Sequence, residues 1–111
     1  MCEKNNLNNI LAQVHKQAVL LFGDRLADMV LYGSYARGDF DEESDIDIMI
    51  LAHIDPALVS GYLVSLRDKV YMLEIENDCV ISLSITPVCN FEKYKNVSPF
   101  YRNVCNEGIR C

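Results

Sequence analysis

Residues 44–52 read SDIDIMILA, two aspartates leading without a break into a continuous apolar run. A run of that length and composition is a buried strand. Carboxylates at its mouth stand at the margin of a low-dielectric interior, where like charges raise each other's pKa. The crowding is worse upstream, because Asp39, Asp41, Glu42, Glu43, Asp45 and Asp47 put six acids into nine positions behind Gly33, Ser34 and Arg37. A surface loop carries such charge freely. A strand does not, unless a cation sits between the acids, so the chain needs a sheet whose rim gathers positive charge.

The rest of the chain supplies that sheet. Leu7, Ile10, Leu11, Val14, Ala18 and Leu21 recur at steps of three and four, predicting an amphipathic helix over 6–22. Asn5 or Asn6 would cap it and Gly23 would end it. LADMVLYG, 26–33, predicts another buried strand. Asp55 and Pro56 supply a cap and first-turn proline for a long helix through Leu58, Tyr62, Leu66, Val70 and Leu73, with Gly61 its weak spot. In VISLSITPV, Ile81, Leu83 and Ile85 alternate with Ser82, Ser84 and Thr86, a half-buried strand. Asn90 would cap a short helical piece, FEKYKN; Ser98 and Pro99 open another, FYRNVCNE, ended by Gly108. The order α, β, β, α, β, α, without repeat or linker, predicts one α/β or α+β domain over 1–111, a small mixed sheet flanked by helices.

Composition narrows the function. The net charge of −6 disfavours a surface that grips polynucleotide directly. No run is long or apolar enough for a membrane span, and the N-terminus does not read as a signal peptide. Five cysteines, an odd set without a CxxC pair, read as reduced thiols of a cytoplasmic protein rather than a disulfide framework or zinc site. His15 and His53 lack partners at metal spacing and read as surface or boundary residues. Tyr35 and the group Phe91, Tyr94, Phe100 and Tyr101 read as packing residues, with a protein-binding face as the alternative for the group.

Three chemistries compete for residues 33–50. A P-loop would follow Gly33 to Gly38 with Lys and Ser or Thr, and the chain has Asp39 and Phe40. An EF-hand loop from Asp39 would need glycine where Ser44 stands and a bidentate Glu where Ile50 stands, which also removes a plain Ca²⁺ buffer. A magnesium–nucleotide site fits. Asp45 and Asp47, two apart on a strand, leave the same face and can jointly hold Mg²⁺ that shares its remaining positions with phosphates. Gly33 lets a ligand approach the backbone, Ser34 opens a helical turn whose amides suit phosphate, and Arg37 can reach a phosphate oxygen. Asp39, Asp41, Glu42 and Glu43 are expected to form a solvated turn whose negative potential draws in the cation.

GS, ten residues, then DID resembles the signature of the DNA polymerase β-type nucleotidyltransferases, and more closely their minimal nucleotidyltransferase domains. The resemblance implies a polymerase β palm-like fold and a three-carboxylate site that uses Mg²⁺ and ATP. Asp45 and Asp47 match two of the acids; Asp78, sharing parity with Ser82 and Ser84, is the candidate third, with Glu74 and Glu76 as fallbacks. It implies transfer of AMP from ATP to a hydroxyl, with Asp78 accepting the proton. Isolated domains of this kind are similar to antitoxins that work with HEPN-type ribonuclease toxins, which makes a hydroxyl on a partner protein the expected acceptor. The domain would act either alone or as a subunit of an oligomer. Two other readings stand beside this one: a nucleotidyltransferase-fold module that neutralises its partner by contact, and a small-molecule (antibiotic) nucleotidyltransferase.

Overall fold

The computed structural model describes residues 4–38 and 45–110. Helix α1 (Lys4–Phe22) leads through a single 3-10 turn into β1 (Leu26–Tyr32) and the four-residue α2 (Ser34–Arg37). Strand β2 (Ile46–Ala52) follows, then a second 3-10 turn, α3 (Val59–Asn77), β3 (Ile81–Pro87), α4 (Val88–Tyr94), α5 (Pro99–Glu107) and β4 (Ile109–Arg110). The strands form one sheet in the order β3-β2-β1-β4. β1 is antiparallel to both β2 and β4, while β2 and β3 run parallel. A parallel pair needs a crossover, and α3 provides it.

β2 is sandwiched on both faces, which explains its unbroken apolar sequence. Ile46, Ile48 and Ile50 face α1 and α3 together with Met29, Leu31, Ile81, Leu83 and Ile85. Met49 and Leu51 face the other way and pack with Val30 and Val104 beneath α4 and α5, alongside Val88, Phe91 and Tyr101. Odd-numbered β2 residues therefore define the second face. Asp47 belongs to it.

The structure adjusts several local expectations. α1 already includes Asn5 and Asn6, so neither caps it, while Gly23 does stand at its end with φ of 55°. β3 stops at Pro87 and α4 begins at Val88, before the expected cap at Asn90. The two-residue β4 has no counterpart in the sequence reading. The caps ahead of α3 and α5 are as expected: Asp55 Oδ1 accepts from the Ala57 N–H at 2.8 Å and Ser98 Oγ from Tyr101 N–H at 3.4 Å. Asp55→Ala should cost about 1 kcal/mol, the usual worth of such a cap, read as a lower urea midpoint at unchanged slope.

Candidate active site

The sheet rim is built from the loop after β1 and the start of β2. Tyr32 and Asp47 are directly opposed in the β1–β2 register, and Asp47 is in register with Ser82 on the parallel side. One patch of the second sheet face therefore gathers Tyr32, Asp47, Ser82 and Ser84. At Gly33 the chain turns with φ 75° and ψ −154°, a conformation essentially reserved for glycine. The turn brings its Cα against the Asp47 carboxylate so closely that an added Cβ would overlap a carboxylate oxygen. Immediately after, Ser34 starts α2, whose turn closes through bonds from the Ala36 and Arg37 N–H groups to Gly33 O, both 3.1 Å. The first N–H groups of any helix have no acceptor within it. Gly38, with φ 83°, ends the turn.

The electrostatics centre on Asp47. Partial burial, and then the neighbouring charge of Asp45, hold its carboxyl above the usual carboxylate range, while Arg37 pulls it down. Asp45 stands exposed at the residue before β2, near enough for its charge to act on Asp47. The Tyr32 phenol is raised by burial and by the Asp47 charge, with the Ser84 hydroxyl acting the other way. That hydroxyl is buried and makes no hydrogen bond of regular geometry among the described residues. Phe100 packs edge-on against Tyr32 at 5.4 Å and leads to Tyr101 and Phe91, so the aromatic group forms a wall beside the patch.

Gly33, Ser34, Arg37, Asp45 and Asp47 thus meet at one rim. Asp78 does not join them. α3 runs on to Asn77, and Asp78 takes the left-handed position that ends the helix, with φ 49° and ψ 53°, three residues before β3 begins. Placing it on the polar face of the strand is corrected on that ground: short polar residues tolerate this backbone region, and a helix end uses it to close its last turn. The fallbacks stay on the helix too. Glu74 Oε2 accepts from the Ile81 N–H at 3.2 Å, latching the start of β3, and Glu76 is exposed. Among the described residues no three His, Cys, Asp or Glu side chains converge. Asp39, Asp41, Glu42 and Glu43, the residues of the expected solvated turn, lie outside the described residues.

The donor set suits magnesium. Two carboxylates at one rim, one held above its usual range by burial and then by the charge of the other, would be stabilised by a divalent cation, and Mg²⁺ commonly uses only one or two carboxylates plus waters and phosphates. Tyr35, by contrast, is buried in the main core, as ordinary packing predicts. What the sequence reading missed are Tyr32, Ser82 and Ser84 as neighbours of Asp47. The period-two parity of β3 marked its serines as one face, but only the register with β2 places them.

The model of the family described as "Nucleotidyltransferase domain" matches residues 11–101. Two similar proteins come from Methanocaldococcus jannaschii. "Putative protein adenylyltransferase MJ0604" is 40% identical over 84 residues, 76% of each chain. "Putative protein adenylyltransferase MJ0141" is 45% identical over 100 residues, 90% of this chain and 93% of the relative. Among solved structures, a toxin–antitoxin complex with AMP-PNP superposes with a TM-score of 0.49 at 21% identity, covering 86% of this chain and 69% of the other. A mutant of the toxin–antitoxin MntA-HpeT gives 0.48 at 18% identity, covering 93% and 69%. With the family model spanning the GS turn, the aspartate strand and the crossover helix, this chain belongs to the nucleotidyltransferase domain family.

Proposed function

We propose that the domain transfers AMP from Mg²⁺-bound ATP to a hydroxyl on a partner protein. The carrying observation is the close packing of the Gly33 turn against the Asp47 carboxylate, which brings the backbone of that turn beside a pair of acids. Asp45 and Asp47 would hold the metal. When bound, it would gather the triphosphate oxygens and acidify the attacking hydroxyl. Gly33, lacking a side chain, lets the turn pack against Asp47, Ser34 would open that turn toward the phosphates, and Arg37 would offer a cation to them. The acceptor oxygen bonds to the α-phosphorus, the bond to the β-phosphate breaks, and pyrophosphate leaves with the acceptor's proton passed to solvent. The protein acceptor rests on the names of the two M. jannaschii relatives and on the family likeness of isolated minimal domains to antitoxins of HEPN-type toxins.

A second reading, neutralisation by contact alone, is favoured by one observation: no third carboxylate joins Asp45 and Asp47 among the described residues. Incubation with α-labelled ATP, Mg²⁺ and the protein encoded beside it separates the two. Label on the partner, absent with an Asp45→Ala, Asp47→Ala double variant that still folds, is the outcome expected. Full neutralisation by that double variant with no label anywhere would establish contact alone and end the transfer reading.

A further inference from the structure

α3 has two apolar faces. Leu66 and Val70 are fully buried against the sheet and α1, with Val59, Tyr62, Leu63 and Leu73 packed beside them. The opposite side carries Val64, Tyr71, Met72 and Ile75, each more than half exposed at 63, 60, 55 and 56%. One amphipathic stripe accounts for the first face and leaves the second without a function in the monomer. The outer residues are spaced as a seam: Gly61, Val64, Asp68, Tyr71 and Ile75 alternate steps of three and four. At Gly61 a side chain would meet nothing within 4 Å, so the seam opens into clear space at that end.

We infer that this face binds a second copy of the chain, with the two α3 helices antiparallel about a two-fold axis. The chemistry of the seam is complementary to itself only in that direction. An antiparallel seam sets Val64 against Ile75 of the other copy and Asp68 against Tyr71 of the other copy, so an apolar layer flanks a carboxylate that accepts from a phenol. Arg67, on the flank of the stripe, then faces the other copy's Glu74, whose second oxygen is not the one engaged with Ile81. A parallel pairing would instead oppose Asp68 to Asp68 and take Arg67 away from Glu74 of the other copy. A polar residue within an apolar seam fixes register at some expense of affinity. The seam runs along a 19-residue helix, about 28 Å, and buries on the order of 1,000 Å² in total, the low end for a specific interface, so the dimer is a weak one.

The full chain should show a monomer–dimer equilibrium in sedimentation velocity, with a dissociation constant on the order of tens of micromolar. Val64→Glu and Ile75→Lys should each weaken it by about thirtyfold or more, without lowering Tm, because both side chains are exposed in the monomer. Combined in one chain, the two substitutions face each other across an antiparallel seam and should recover affinity to within about tenfold of the native value at low salt. A native chain that stays monomeric up to about millimolar concentration would overturn the inference, as would a dimer untouched by either single variant. So would a double variant no tighter than the singles, and so would a monomer whose α3 face instead binds a different protein in a Val64-dependent way. Nucleotide binding is measured on the same samples, so failure of the dimer is distinct from failure of the site at the sheet rim.

Discussion

Gly33→Ala should remove Mg²⁺–nucleotide binding and lower stability in one step. Two independent causes act at this residue. The backbone angles, φ 75° and ψ −154°, lie where a Cβ is strained by about 1–3 kcal/mol. The Cβ would also overlap the Asp47 carboxylate, whose carboxyl carbon lies 3.2 Å from where it would sit. Asp47 cannot retreat easily, because its strand is paired on both sides and its neighbours Ile46 and Ile48 are fully buried. The expected Tm decrease is about 5–15 °C for a domain of this size. A carboxylate displaced by about 1 Å should also cost roughly a hundredfold in transfer rate. Gly38→Ala is the control. Gly38 has a positive φ of 83° as well but nothing within 4 Å of an added Cβ, so it should lose about 1–2 kcal/mol of stability and keep its nucleotide affinity. Equal nucleotide affinity in Gly33→Ala and native protein, by calorimetric titration, would show that the turn does not shape the site.

The difference between those two glycines is also a measure of what the sequence makes legible. Both glycines are visible in the string GSYARGD, and the local rules for turns treat them alike. Their roles diverge only because β2 folds back antiparallel on β1 and sets Asp47 opposite Tyr32. Signals confined to one element were readable: the steps of three and four in α1, the alternation of β3, and the Asp55 and Ser98 caps. Signals that depend on where another element stops were not. The Asp78 assignment counted parity back from Ser82, which holds only while the chain remains extended. α3 continues to Asn77, and the left-handed Asp78 after it breaks the extended run on which that count depends. β4 is invisible for a related reason. Two residues carry no period, and their pairing with Val30 and Leu31 is decided by α5 delivering them to the sheet edge.

Asp47→Asn should make the metal-free domain more stable and the enzyme inactive. Burial and the charge of Asp45 raise the folded-state pKa of Asp47, so the folded chain holds this proton more tightly than the unfolded chain does. The sign follows directly. The linked stabilisation is fully present below the unfolded-state pKa and is lost as pH rises through the raised, folded-state value. Above the raised, folded-state value the carboxylate is ionised in both states and opposes folding, whereas an isosteric amide removes that opposition. Without Mg²⁺ the variant should therefore melt above the native protein at pH above that raised value, and the gap should close as pH falls toward the unfolded-state pKa of about 4. With Mg²⁺ and a non-hydrolysable ATP analogue the order should invert. The native domain gains stability by linkage to its bound ligand, while the variant, left with the single carboxylate of Asp45, gains little. Transfer should fall by about a hundred- to a thousandfold, the usual loss when one preorganised charge is withdrawn from a polar transition state. Crossing melting curves would tie the strain at the strand mouth and the metal site to one side chain. An Asp47→Asn variant that melts below the native protein in metal-free buffer, or that keeps the full ligand-induced increase, would separate them.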